Sequence, residues 1–298
     1  MSERVGSGQE RLFEASGVTE QETPVGSLYV VALPIGNAAD ITVRALWLLS
    51  RMDVIAAEDT RVTRPLLARF GIDTPLVAAH QHNEREAAQQ LIGRLARGER
   101  VALVTDAGTP GVSDPGARVV RAVLDAGYRV LPVPGASSAM AAISAGGLTP
   151  GPFRFVGFLP TGKVERERAL RTLASEAAPF VLFEAPHRVR QLLVLMSAVL
   201  EPARRVVLAR ELTKKFETIE VHRAADLGAL NADERGEYVV LVDASDEAAA
   251  DIDVVTRRWL EALLQELPPA RASAVAARAS GQPRDVLYRL ALQLKPER

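Results

Sequence analysis

The chain has 298 residues, of which 48% are hydrophobic and 24% are charged, and its formal net charge is −1. These values are typical of a soluble globular protein, and any nucleic-acid surface on it has to be a local patch. The absence of cysteine excludes disulfides, zinc–thiolate sites and cysteine nucleophiles, and it fits a cytoplasmic protein. The N-terminus lacks the apolar core of a signal peptide, and the longest apolar run, 192–200, is too short for a bilayer. We therefore expect a cytoplasmic protein without a membrane segment.

The hydrophobic pattern divides the chain into five segments. Residues 1–24 are polar and without a hydrophobic period, which predicts a disordered tail. Over 25–135, short β-branched runs alternate with helix-period segments, which predicts an N-terminal α/β lobe with a parallel sheet. A second series of more closely spaced runs predicts a C-terminal α/β lobe with a mixed sheet over 136–245. An acidic linker at 246–253 then leads to a small helical domain at 254–298.

The predicted elements follow from these runs and from the residues that punctuate them. In the first lobe the strands are 28–33, 53–57, 101–105 and 128–133, and the helices between them are 41–51, 84–97 and 115–126. In the second lobe the strands are 153–158, 180–184, 206–210, 218–221 and 238–243. Asp114 and Pro115 supply a cap and a first helical residue, and Gly127 ends that helix.

Three turns after strands of the first lobe are candidates for ligand binding. The loop 105–116 is the strongest, because three glycines within nine residues expose main-chain groups at the carboxyl end of the sheet. In that loop, the carboxylate of Asp106 could hold an amine or a ribose hydroxyl. The turn at Gly36 lacks both the dinucleotide spacing and a phosphate-binding lysine, and the turn 133–138 precedes a helix with exposed N–H groups. Each turn could also be purely structural.

Charged residues directly follow three of the predicted buried strands. This repeated arrangement indicates one shared cleft, whose lining would be Glu58, Asp59, Arg61, Glu184, Arg188, Arg210, Glu211 and Lys214. Ion pairs that close the interface between the lobes would give the same pattern. The histidines are not spaced as a metal cage and the chain has no serine-hydrolase elbow, so no metal site is predicted.

The C-terminal helical domain is basic, unlike the chain as a whole. It carries eight lysine and arginine residues against four acidic residues over 254–298. A glycine-containing turn at 280–283 joins its last two helices, as in helix-turn-helix modules. The domain could bind RNA, or it could be a helical hairpin that stabilises a dimer.

Several sequence blocks occur in the order that is typical of one family. They read LPIGNAADIT, DVIAAEDTR, HNE, VTDAGTPGVSDPG, PGASS, EAPHR, ARELTK and GEYVVLV. Over about 26–243 the chain thus resembles the ribosomal RNA small subunit methyltransferase I family, which has the tetrapyrrole methylase (class III methyltransferase) fold. The resemblance implies a two-lobed α/β homodimer with a small helical domain. It also implies S-adenosylmethionine-dependent 2′-O-methylation of the ribose of a decoding-site cytidine in 16S rRNA.

The resemblance implies the cofactor contacts, and the residue types suggest the catalytic and RNA-binding candidates. The cofactor, held between the two lobes, would contact Gly36, Asp106, Gly108, Thr109, Val112, Ser137, Ser138, Glu184, Glu211 and Leu212. Asp59 and Glu58 are the candidate general bases for the ribose hydroxyl, and Lys214 is a third catalytic candidate. RNA contacts are expected from Arg61, Arg188, Arg210, Arg271, Arg278 and Arg284.

Two alternatives of different kinds stay open at this point. A tetrapyrrole methylase is one, but a small macrocycle does not need a basic helical domain. A non-catalytic RNA-binding or assembly protein is the other, but such a protein does not need the glycine-rich loop 105–116.

Overall fold

The computed structural model of the chain describes residues 3–176, 178–245 and 252–294. The chain divides into two compact units. One consists of Met1–Ala141 with Glu211–Glu217, and the other of Ala142–Arg210 with Thr218–Arg298. The first boundary lies six residues beyond the expected end of the N-terminal lobe at 135, and a short segment of the expected second lobe returns to the first unit.

A parallel sheet of five strands forms the centre of the first unit. The strands are β1 (Ser27–Val31), β2 (Val54–Ala57), β3 (Leu76–Ala78), β4 (Val101–Val104) and β5 (Arg129–Val133). Their order is β3-β2-β4-β1-β5, and every neighbouring pair is parallel. This confirms the expected parallel sheet. Only β3 was not predicted, because it is three residues long and incompletely buried.

Helices cover both faces of this sheet. They are α1 (Glu3–Ala15), α2 (Val43–Leu49), α3 (Thr60–Arg69), α4 (Glu84–Ala96) and α5 (Ala117–Asp125). Helix α6 (Ser138–Gly146) begins in the first unit and ends in the second. One apolar cluster includes residues of α2 and α3, and a second includes residues of α4 and α5. A sheet buried on both faces needs nearly continuous apolar strands, which is the pattern seen in β2 and β4.

The expectation that residues 1–24 form a disordered tail is wrong. Helix α1 is followed by a 3-10 turn at Val18–Glu20, and Val18 is only 4% exposed. Phe13 packs against the same apolar cluster as Val18. The segment has few apolar residues, so its composition suggested disorder, but these two are enough to attach it to the first unit.

The second unit contains a mixed sheet. Its strands are β6 (Arg154–Phe158), β7 (Phe180–Glu184), β8 (Arg205–Arg210), β9 (Thr218–Arg223) and β10 (Tyr238–Val242). The order is β6-β7-β10-β8-β9, in which only the β6–β7 pair is parallel. Helices α7 (Lys163–Ala174) and α8 (Pro186–Val199) contribute residues to the apolar core of this sheet. The expected mixed sheet is therefore confirmed.

Three helices follow the mixed sheet, as predicted. They are α9 (Val254–Glu266), α10 (Pro269–Ser280) and α11 (Arg284–Leu294), and they share a small core that includes Leu260, Ala276 and Leu287. Gly281 ends α10 in the left-handed conformation, with φ of 74°. Most of the expected linker at 246–253 lies outside the described residues. Within the described part of the chain, no helix has the length and apolar character needed to cross a membrane.

Candidate active site

The glycine-rich loop 105–116 is fixed to its neighbours at the carboxyl edge of the first sheet. Leu33 and Gly108 exchange two backbone hydrogen bonds, of 2.9 and 3.0 Å. The hydroxyl of Thr109 donates to the carbonyl of Ala136 at 3.2 Å. The loop after β4 therefore connects the turn after β1 with the turn after β5, so the three predicted ligand-binding turns lie together.

Glycine is required where the turn after β5 approaches β1. A Cβ atom on Gly135 would lie 2.9 Å from the Cβ of Ala32 and 3.3 Å from its carbonyl oxygen. The neighbouring Ser137 precedes α6, and its Oγ lies 3.5 Å from the N–H of Met140 as a hydrogen-bond acceptor. Ser138 is the first residue of α6. The start of this helix thus lies beside the loop 105–116, as predicted.

The returning segment 211–217 contacts the turn after β1. The side chain of Lys214 covers Gly36, where an added Cβ would lie 2.5 Å from the Lys214 Cγ. The N–H of Asn37 donates to the hydroxyl of Thr213 at 3.1 Å. The Lys214 ammonium lies 2.9 Å from the Glu211 carboxylate. The sequence singled out Gly36 in a turn, and Glu211 and Lys214 as charged residues after a buried strand, but not Thr213, although it lies within the ARELTK block.

Backbone strain is concentrated in these segments. Among the described residues, the non-glycine residues with positive φ are Ser113 (65°), Glu211 (52°) and Thr213 (66°). Such conformations cost on the order of 1–3 kcal/mol each and tend to cluster at functional sites. Nothing in the sequence marks Ser113, because serine has no preference for this conformation.

The predicted start of helix α5 is two residues too early. The helix begins at Ala117 with Gly116 as its N-cap, and no side chain caps it. Pro115 is therefore not the first helical residue, and Asp114 is not the cap. Gly116 has a φ of 123°, and its N–H donates to the buried carboxylate of Glu84 at 2.8 Å. A side chain from α4 thus replaces the expected local cap.

Three acidic residues meet where β2 and β4 end side by side. The N–H of Asp59 donates to the Asp106 carboxylate at 3.0 Å, and the N–H of Asp106 lies 3.4 Å from the Glu58 carboxylate. Burial raises the pKa of Glu58 above its ordinary value, and the carboxylates of Asp106 and Asp59 add to the increase. Burial also raises the pKa of Asp106. A raised pKa makes the Glu58 carboxylate a better proton acceptor than an ordinary glutamate.

Asp59 has the opposite electrostatic environment. It is the N-cap of α3 and accepts the N–H of Arg61 at 2.8 Å. The Arg61 guanidinium binds both carboxylate oxygens, at 3.0 and 2.7 Å, and this pairing lowers the pKa of Asp59 to about 2. A carboxylate held in this way accepts a proton poorly near neutral pH. The side chain of Arg61 is 89% exposed, so most of it faces solvent.

The predicted site residues of the second unit have partners within that unit. The side chain of Glu184 is fully buried and lies 3.1 Å from the Arg188 Nε, at an angle outside hydrogen-bond geometry. Arg188 also donates to the carbonyl of Leu159 at 3.1 Å. Arg210 donates to the Asp233 carboxylate at 2.9 Å and is mostly buried. These contacts favour positioning roles for both arginines over direct phosphate contacts.

The remaining predicted residues differ in exposure. Leu212 is buried, whereas Val112 is exposed in the loop 105–116. Three arginines of the helical domain are exposed and have no ion-pair partner among the described residues: Arg271, Arg278 and Arg284.

Comparison with known proteins agrees with this geometry. Residues 27–228 match the Tetrapyrrole (Corrin/Porphyrin) Methylases, and residues 247–295 match the RsmI C-terminal HTH domain. A Neisseria meningitidis relative named Ribosomal RNA small subunit methyltransferase I is 46% identical over 91% of this chain and 94% of its own. The chain belongs to the ribosomal RNA small subunit methyltransferase I family.

Other members of the ribosomal RNA small subunit methyltransferase I family match this chain over nearly its whole length. The protein of that name from Pseudomonas aeruginosa is 46% identical, with 90% of this chain and 97% of the relative covered. The Escherichia coli O157:H7 protein is 44% identical, with 90% and 95% covered. As a member of this family, the chain is an S-adenosylmethionine-dependent methyltransferase.

Solved structures show the same fold at lower sequence identity. Uroporphyrin-III-C-methyltransferase from Thermus thermophilus superposes with a TM-score of 0.55 at 22% identity, covering 73% of this chain and 94% of its own. A diphthine synthase structure gives a TM-score of 0.53 at 20% identity, with 73% and 90% covered. These likenesses confirm the tetrapyrrole methylase fold for this family member.

Proposed function

We propose that this methyltransferase acts on 16S rRNA of the small ribosomal subunit and methylates the ribose 2′-oxygen of a decoding-site cytidine. The names of the relatives, which match nearly the whole chain, support an rRNA substrate. The observation that carries the proposed chemistry is the half-buried Glu58 carboxylate beside Asp106 and the glycine-rich loop. A ribose hydroxyl is a weak nucleophile and gains from a proton acceptor close to the cofactor.

The proposed cofactor site is the carboxyl edge of the first sheet, and its groups fit S-adenosylmethionine. The Asp106 carboxylate can bind the cofactor's amine or its ribose hydroxyls, and the hydrogen bonds of Gly108 and Thr109 to the neighbouring turns hold the loop beside it. The proposed set in the first unit is Gly36, Asp106, Gly108, Thr109, Val112, Ser137, Ser138, Glu211 and Leu212. When bound, S-adenosylmethionine supplies the methyl group from its electrophilic sulfonium.

Within this proposal, the residues of the chain bind, orient and move a proton. Glu58 accepts the proton of the ribose 2′-hydroxyl. Asp59 holds Arg61 in place by its two-oxygen contact and so positions a cation near the RNA backbone. The aliphatic stem of Lys214 lies against Gly36, and its ammonium, 2.9 Å from the Glu211 carboxylate, lowers the pKa of the attacking hydroxyl. Orientation contributes up to roughly 7–11 kcal/mol and proton transfer about 10²–10⁴-fold in rate.

The proposal also includes the RNA-binding residues of the protein, its oligomeric state and its cellular location. Arg61 and the exposed arginines of the helical domain, Arg271, Arg278 and Arg284, bind RNA phosphates. Arg188 and Arg210 act indirectly, through the carbonyls and carboxylates that they bind. The protein works as a homodimer in the cytoplasm.

Mapping of ribose methylation tests the proposal. In 16S rRNA from cells that lack the protein, one 2′-O-methylcytidine of the decoding region should be absent, and the wild-type protein should restore it. A Glu58→Gln protein, expressed at the same level, should fail to restore it. An unchanged methylation map in the deletion strain would refute the proposed rRNA target, and methylation of a tetrapyrrole by the purified protein would support the alternative substrate.

A further inference from the structure

The two tryptophans of this chain occupy opposite environments. Trp47 is 3% exposed in the apolar core of the first unit. Trp259 is 46% exposed on α9, and the exposed Val255 lies one turn before it on the same helix. The apolar core of the helical domain is formed around Leu260 instead. Trp259 therefore presents a large aromatic surface to solvent, without contributing to the core.

The helical domain that carries this aromatic surface also carries exposed arginines. Arg258, the residue before Trp259, is exposed and has no ion-pair partner among the described residues. Arg271, Arg278 and Arg284 of the same domain are likewise exposed and without such partners in the described chain. An exposed aromatic ring on a domain with exposed, unpaired arginines is complementary to single-stranded nucleic acid, in which bases stack on rings and phosphates bind guanidinium groups.

One face of α11, the second helix of the helix-turn-helix pair, borders another part of its own unit. Asp285, Tyr288 and Arg289 of α11 line a small cavity together with the segments 149–152 and 178–179 of the same unit. Arg289 also lies 3.7 Å from the Asp285 carboxylate as an ion pair. This face of α11 is thus turned toward the mixed-sheet part of the unit, whereas α9 leaves Trp259 and Arg258 open.

We propose that Trp259 stacks on an unpaired base of the RNA substrate while Arg258 binds an adjacent phosphate. This inference rests on the proposed function, because it assumes an RNA substrate. It differs from groove binding by α11, the usual role of the second helix in DNA-binding helix-turn-helix modules. It also differs from dimer formation through α9, which would bury Trp259 against a second copy of the chain.

Tryptophan fluorescence of the full-length protein tests the inference directly. A Trp47→Phe variant retains Trp259 as its only tryptophan, and titration with a single-stranded oligoribonucleotide should quench its emission in a saturable way. A duplex of the same sequence should quench it less, because paired bases are not free to stack. The Trp259→Ala variant should bind the single strand about 5- to 100-fold more weakly, the range found when stacking aromatics are removed. Trp259→Phe should recover most of that affinity.

The control is Leu292→Ala, which removes an exposed apolar side chain from α11 and should leave binding unchanged. Unquenched emission, or equal affinity of Trp259→Ala and wild type for the single strand, would overturn the inference. Emission that changes with protein concentration in the absence of RNA would also overturn it, in favour of a dimer contact. Methyl transfer to small subunits that lack the modification separates the two proposals. A wild-type protein without activity refutes the proposed function, whereas an active wild type with an unchanged KM for Trp259→Ala refutes only the stacking.

Discussion

Glu58 and Asp59 are adjacent in sequence but have opposite pKa shifts. Asp59 caps α3 and is bound by the Arg61 guanidinium, which lowers its pKa to about 2. Glu58 is half-buried near the Asp106 carboxylate, and burial raises its pKa. The sequence pointed to Asp59 as the first candidate base and Glu58 as the second, whereas the pKa shifts favour Glu58. The difference depends on the burial of Glu58 and on the contact of Asp59 with Arg61, and neither can be read from the sequence.

The first prediction separates the two carboxylates by rate. Glu58→Gln should lower the single-turnover rate of methyl transfer by about 10²–10⁴-fold, because it removes the proton acceptor. Asp59→Asn should lower the rate less, because it removes only the partner of Arg61. Calorimetry with S-adenosylmethionine serves as the control for both variants and should give affinities close to wild type. A near-normal rate for Glu58→Gln would remove Glu58 as the base.

The raised pKa of Glu58 also predicts a pH dependence of stability. Its folded-state pKa lies above the unfolded value, so its stabilising contribution is present below the unfolded pKa and is lost as pH rises through the folded pKa. At neutral pH the ionised carboxylate therefore costs stability, and Glu58→Gln should raise Tm there. The gain should disappear in acid, below both pKa values. Thermal melts of both proteins across this range measure it, and a lower Tm for the variant at neutral pH would contradict the shift.

At the scale of elements, the sequence predicts the ends of strands most accurately where the whole strand is buried. Strand β7 was predicted with its observed ends, and β4 differs by one residue, because fully buried strands read as continuous apolar runs. β3 escaped detection because three partly exposed residues give no such run. Helix α1 was missed because its attachment depends on tertiary contacts, and the start of α5 was misplaced because Glu84 supplies the contact expected from Asp114.

The approach of the turn after β5 to β1 gives a prediction at this scale. Gly135→Ala should weaken S-adenosylmethionine binding about tenfold or more and destabilise the protein by about 1–3 kcal/mol, as overpacking does. The reason is that the added Cβ meets the Ala32 Cβ at 2.9 Å and its backbone oxygen at 3.3 Å, which cannot move independently. Gly93→Ala in α4 is the matched control, since its Cβ would approach only the flexible end of Arg97, at 4.0 Å. Equal cofactor affinities for the two variants would show that this approach does not shape the site.

At the scale of the molecule, the two compact units are not continuous stretches of the chain. Residues Glu211–Glu217 lie between β8 and β9 of the mixed sheet but belong to the first unit. A linear division at 135 could not place them there, and only the resemblance of the ARELTK block connected them with the glycine-rich loop. Composition has the same limit, because a net charge of −1 conceals the basic helical domain. The distribution of charge along the chain was therefore more informative than its sum.

That distribution leads to the last prediction, the salt dependence of RNA binding. A variant with Arg271→Gln, Arg278→Gln and Arg284→Gln should bind small-subunit RNA more weakly and with a shallower salt dependence. Each lost single-strand phosphate contact lowers the log–log slope by roughly 0.7, so three contacts would lower it by about 2. The control is Arg171→Gln on α7, where the arginine is already paired with Glu167 at 2.8 Å and should contribute no phosphate contact. S-adenosylmethionine affinity should not change in either variant. If the triple variant becomes monomeric by light scattering and keeps the wild-type slope, the helical domain stabilises a dimer and does not bind RNA through these arginines.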